Sequence, residues 1–198
     1  MLPILEFYGN HALDFANNDI GSLEHYAISE LRKFALPEEI RQIVHDKLSV
    51  QFPGGELSKF ESMENWSPVS FPTTPGVRDF PKKNIVSLGP LGIRIVFTSE
   101  YIILPSLINE RVDWYSPNYK DKVQIIRSYY YTIINHFGGD HALYIEDRIS
   151  NKYYSCKNTL NSFEQELVAR YGTSKKSLFD YPHGKFPKYY IDHFTDMK

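Results

Sequence analysis

The chain has 198 residues, 42% of them hydrophobic and 23% charged, with a formal net charge of −2. That length suits one well-buried domain, the composition excludes wholesale disorder, and the near-neutral balance argues against nucleic acid, which is held largely through its phosphates. Its single cysteine, Cys156, excludes an intrachain disulfide framework and fits a reducing compartment. No apolar run approaches the roughly 20 residues that a membrane-spanning helix needs. The opening Met1-Leu2-Pro3-Ile4-Leu5-Glu6 lacks the basic start and apolar run of a signal peptide, so the expected location is the cytoplasm, with no membrane partner.

Residues 3–16 alternate loosely and predict one or two short strands. Ser22 is the expected N-cap of a helix with Leu23, Tyr26, Ala27, Leu31, Phe34 and Ala35 at helical spacing. Pro37, followed by Glu38 and Glu39, predicts a second helix start, with Ile40, Ile43, Val44 and Leu48 as its buried stripe. Residues 52–83 carry Pro53, Pro68, Pro72, Pro75 and Pro81 without sustained periodicity. They predict a long Pro/Gly-rich loop wrapped over the core and anchored by Trp66, Phe71 and Phe80.

Three β-rich runs follow, at 85–88, 93–97 and 101–104, separated by turn residues, and they predict an antiparallel meander. Residues 119–137 form the strongest helical pattern. Val123, Ile126, Tyr130, Ile133, Ile134 and Phe137 share one face, and Gly138-Gly139 supplies the stop. A strand at 141–147 is expected to turn back on a strand at 152–156. A last helix is predicted over 162–171, with Ser162 and Gln165 at capping-box spacing and Gly172 at the exit, and a short strand at 188–191. Together these elements predict an α+β fold, one domain over 1–198 in which helices pack on an antiparallel sheet.

Catalytic signatures are lacking. The adjacent pairs His45-Asp46, Asp140-His141 and Asp192-His193 are expected to diverge, because strand neighbours face opposite ways and helix neighbours are well apart in angle. Neither a metal-ligand spacing nor a phosphate-cradling loop is found, so no metal and no cofactor is expected. His141 reads either as a satisfied structural histidine at the rim of the core or as a general base that needs a carboxylate brought from elsewhere. The segment Asp180-Tyr181-Pro182-His183-Gly184 reads as a turn, with a ligand-contacting loop as its alternative. If the protein is an enzyme, a hydrolase-like site under the 52–83 loop using His141, His183 and Asp180 is the expectation. Gly9-Asn10-His11-Ala12-Leu13 and Gly139-Asp140-His141-Ala142-Leu143 nearly match, but without a regular period or further copies the match reads as coincidence.

Tyrosine is the most informative residue type, since thirteen of the fifteen lie beyond residue 100. Tyr130 falls in the apolar stripe of its helix and Tyr129 at the edge. Tyr131 falls among Gln124, Arg127 and Asn135, and is expected to be substantially exposed. A five-residue turn at 147–151 sets Tyr144 opposite Tyr154 and Glu146 opposite Lys152, on a face either half-solvated or packed under another element. Tyrosine offers large contact area with a polar tip at low entropic cost. The leading expectation is therefore a non-enzymatic cytosolic protein of the inhibitor or immunity type, binding a protein partner through Tyr131, Tyr144 and Tyr154. The alternatives are the hydrolase-like enzyme and a weak single-stranded nucleic-acid binder, whose lysine- and tyrosine-bearing tail would stack on bases.

Overall fold

Phe7 and Tyr8 are neighbours in a strand, so they point to opposite faces of the sheet that holds them. They are 0% and 1% exposed, which demands cover on both faces. The computed structural model describes residues 5–51, 67–68, 85–89, 95–104, 119–146, 159–178 and 188–197. Its strands are β1 (Leu5–Gly9), β2 (Ser67–Pro68), β3 (Ile85–Gly89), β4 (Ile95–Thr98), β5 (Ile102–Leu104), β6 (Ala142–Glu146) and β7 (Tyr189–Asp192). The helices are α1 (Ile20–Leu31), α2 (Glu38–Gln51), α3 (Tyr119–His136) and α4 (Leu160–Tyr171). All strand pairs are antiparallel, in the order β2-β3-β4-β5-β1-β6-β7, so the fold is α+β, with helices packed on an antiparallel sheet.

Period-2 alternation sorts the side chains between two cores. Phe7, Ile102, Leu104, Tyr144 and Tyr190 join α1, α2 and α3 on one face. Tyr8, Tyr101, Leu143, Ile145 and Tyr189 join Leu160, Phe163 and Leu167 of α4 on the other. Helical spacing supplies the matching stripes: Leu23, Ala27 and Leu31 on α1, and Val123, Ile126, Tyr130 and Ile133 on α3, are all buried. Aromatic edges lock each layer. Phe7 lies 4.9 Å from Tyr130 and 4.8 Å from Tyr144, and Tyr8 lies 5.4 Å from Tyr101 and 5.9 Å from Phe163.

The predicted meander is present as β3, β4 and β5. Its tight turn is held by Thr98, whose Oγ1 accepts from the Tyr101 amide at 3.0 Å and donates to the Tyr101 carbonyl at 2.9 Å. His11 secures the same turn: its Nε2 lies 2.8 Å from the Thr98 carbonyl while its Nδ1 accepts from the Leu13 amide at 3.0 Å. That pattern assigns the ring proton to Nε2, and burial pushes the His11 pKa down, against a smaller opposing effect of the Thr98 carbonyl.

Two helix starts lie one turn earlier than expected, for the same reason. Asp19 caps α1, accepting from the Ser22 amide at 3.0 Å, and Thr159 caps α4, accepting from the Ser162 amide at 3.1 Å. Ser22 and Ser162 therefore sit inside the first turn rather than at the cap. In both places a competing cap residue stands three positions upstream.

The expected hairpin of 141–147 with 152–156 is corrected by the register of β6. Tyr144 lies opposite Phe7 on one side and Tyr190 on the other. Both edges of β6 are thus occupied, and Tyr144 has no edge left for Tyr154. The residues 147–158 themselves lie outside the described residues, as do 52–66 and 69–83 of the predicted loop; Ser67–Pro68 pairs with β3 as β2.

Phe7→Ala removes a fully buried ring that touches two others. It is expected to lower stability by about 3–5 kcal/mol, read from the urea midpoint at constant m-value.

Candidate functional site

A buried polar knot joins α3 to β7. Arg127 lies on α3 at four residues from Val123 and three from Tyr130, so it shares the helix face that enters the core. Its guanidinium donates from Nε to Asp192 Oδ2 at 2.5 Å and from Nη2 to Asp192 Oδ1 at 2.9 Å. Further donations run from Nη1 to Asp196 Oδ2 at 2.8 Å and from Nη2 to Asp196 Oδ1 at 2.5 Å. Asp192 also accepts from the Tyr144 hydroxyl at 3.2 Å and from the Phe194 amide at 3.0 Å. Burial alone would weaken the Arg127 charge, but the two carboxylates outweigh it and the net shift is upward. The Tyr144 phenol is pushed well up, first by burial and then by the Asp192 charge. Every strong donor and acceptor here is matched, which is the condition for tolerating buried charge.

A second cluster forms just before β6. His141 precedes the first strand residue, so strand alternation does not separate it from Asp140. Contrary to expectation, the adjacent pair meets: His141 Nδ1 lies 2.7 Å from Asp140 Oδ1. On the other side of the ring, Nε2 comes within 2.7 Å of Glu164 Oε1 on α4, although neither atom has a well-aligned hydrogen bond. The His193 ring stands 5.7 Å away. Burial opposes the imidazolium, but Glu164 and then Asp140 outweigh it, and the His141 pKa is raised.

The near-repeat segments lie side by side in this cluster. Asn10 Oδ1 accepts from the Asp140 and His141 amides at 2.9 and 3.1 Å, and Asn10 Nδ2 donates to Asp140 at 2.8 Å. Gly139 permits the approach, since a Cβ there would lie 2.1 Å from the Asn10 carbonyl oxygen. Gly138, at φ +80°, ends α3 in the left-handed conformation that glycine adopts without penalty.

Of the expected binding residues, Tyr144 is 0% exposed, because helices cover its face of the sheet. It is therefore removed from any docking surface. Tyr131 is half-buried rather than substantially exposed, because its ring packs 5.1 Å from Phe194. Tyr154, His183 and Asp180 lie outside the described residues. His141 meets Asp140 and Glu164, the latter being the distant carboxylate its general-base reading required, yet a carboxylate stands against each ring nitrogen. Sequence reasoning missed Arg127, Glu164, Asp192 and Asp196; the signal for Arg127 was its spacing to Val123 and Tyr130.

Among the described residues, the exposed large hydrophobics are Tyr26 at 49%, Tyr171 at 38% and Val168 at 37%. Val168 and Tyr171 are neighbours on α4, and the Arg170 guanidinium lies 5.7 Å from the Tyr171 ring centroid. Val168 also lines a cleft of about 580 Å³ together with Lys175, Lys176, Tyr190 and His193. No group of three His, Cys, Asp or Glu side chains among the described residues is placed to hold a metal ion, and none of the described helices is long and apolar enough to cross a membrane. Comparisons with protein-family models, with curated proteins and with solved structures find no match to this chain.

Removing one partner of the polar knot strands a buried charge. Arg127→Met is expected to lower stability by about 3–5 kcal/mol, and Asp196→Asn by much less because the Asp196 side chain is 63% exposed; urea denaturation distinguishes the two. The His141 clamp makes a pH-dependent contribution. An unfolded histidine titrates near pH 6.5 and the folded one higher, so the contribution is complete below the unfolded value and is lost as pH rises through the folded value. Glu164→Gln should lower the His141 pKa in an NMR titration and flatten that part of the stability profile.

Proposed function

We propose that this chain is a non-enzymatic protein-interaction protein of the inhibitor or immunity type, acting in the cytoplasm and docking through the C-terminal end of α4. The observation that carries the reading is the pairing of Val168 and Tyr171, exposed three residues apart on one helix, with Val168 also lining the cleft of about 580 Å³. Arginine and tyrosine are the residue types that most often dominate binding energy, and Arg170 lies over Tyr171. The site remains in the tyrosine-rich half of the sequence, but it rests on Tyr171 and no longer on Tyr144. A carboxylate oxygen stands 2.7 Å from each His141 nitrogen, which weighs against the general-base alternative, because a base needs a nitrogen open to the substrate's proton.

The immobilised full chain is expected to capture a specific protein from its native cytoplasm. Tyr171→Ala should weaken that capture about tenfold or more. Tyr26→Ala should leave it unchanged, since α1 covers the opposite face of the sheet. Equal affinity of the wild type and Tyr171→Ala for the captured protein would sink the reading.

A further inference from the structure

A second cleft, of about 450 Å³, opens between α3 and the turn joining α1 to α2. Its volume falls in the range that holds small ligands. Leu31, Leu36 and Ile133 form buried parts of its wall, and Phe34 and Ile125 are half-buried at its sides. Tyr129 joins this apolar wall and is 7% exposed.

Other buried tyrosines direct their hydroxyls to acceptors. Tyr144 donates to Asp192, Tyr189 to the Gly172 carbonyl and Tyr190 to the Lys176 carbonyl. Among the described residues the Tyr129 hydroxyl has no hydrogen-bond partner; burial is the sole cause pushing its pKa up. It is not among the fully enclosed unsatisfied atoms, and the residue that carries it lines the cleft. A phenol removed this far from bulk water is stabilised when something in the cleft accepts its proton.

The remaining polar groups narrow the chemistry. Thr132 donates its hydroxyl to the Ser128 carbonyl within the helix, and the Lys33 ammonium is held by Glu30. Gln124 turns its oxygen toward Arg127 at 3.5 Å, which leaves its amide NH₂ as a second donor beside the cleft. Lys33, Glu39 and Ser128 also line the cleft but are exposed, so the polar groups left on its buried and half-buried wall are the neutral donors of Tyr129 and Gln124. A molecule complementary to that wall carries an acceptor and no charge, since an ion buried against it would lack a counter-charge there.

We infer that this cleft is a binding site for a small uncharged molecule with an apolar body and a carbonyl-type acceptor, seated on the Tyr129 hydroxyl. This inference is independent of the docking surface on α4, which lies across the sheet.

Acetophenone and its hydrocarbon analogue ethylbenzene test it, titrated against the full chain by amide NMR. Both should shift resonances of Tyr129 and the residues around Leu36. Tyr129→Phe should weaken acetophenone about fivefold, the usual effect of one neutral hydrogen bond, and leave ethylbenzene unchanged. Because the hydroxyl removed has no partner among the described residues, the variant should melt at or slightly above the wild-type temperature. The inference is overturned if neither probe shifts these resonances, if acetophenone binds both proteins equally, or if both probes weaken alike.

Discussion

The insertion of β1 between β5 and β6 is the constraint on which the rest of the structure depends. This strand pairs with residues about 95 positions away on one side and about 135 on the other, as Phe7↔Leu104 and Phe7↔Tyr144 show. Its alternating side chains then serve two cores at once. Phe7 reaches the layer of α1, α2 and α3, and Tyr8 reaches the layer of α4. A one-residue slip of β1 would exchange Phe7 and Tyr8 and present each to the wrong layer, so register and packing enforce each other.

Much of this was legible in the sequence because local signals and global packing agree. The α3 stripe from Val123 to Phe137 and the glycine stop after it follow from periodicity and backbone conformation alone. The meander is likewise marked by β-branched runs between turn residues. That both faces of β6 are covered was not legible, because α1, α2 and α3 cover the face of Tyr144 while α4, from beyond residue 159, covers the face of Leu143 and Ile145. With only one face covered, Tyr144 reads as a residue seeking a partner outside the protein. The mistaken hairpin has a separate cause: local pairing of 141–147 with 152–156 is the economical guess, yet the distant strands β1 and β7 occupy both edges of β6.

The candidate sites divide along similar lines. Asp140 and His141 were set apart by a rule for regular strands, and the pair meets because it lies in the irregular approach to β6. Glu164 could not be assigned to His141 from one sequence, since nothing local connects α4 to that approach. Tyr129 was placed correctly at the edge of its stripe. What makes it notable is the lack of an acceptor for its hydroxyl, a property of the surrounding surface that residue spacing does not encode. Tyrosine enrichment thus has several origins in this chain: core packing at Tyr130, a buried polar knot at Tyr144, and exposed surface at Tyr171.

The Arg127 knot also orders assembly in time. Its charge partners Asp192 and Asp196 lie 65 and 69 residues further along. At roughly 5–20 residues per second of synthesis, α3 waits about 3–13 seconds for Asp192. During that interval the guanidinium has no carboxylate from β7 to meet, and burying it alone would carry the full desolvation penalty. Burial of Arg127 in the principal core therefore depends on a carboxylate supplied by the last described strand, which ties the packing of α3 to β7.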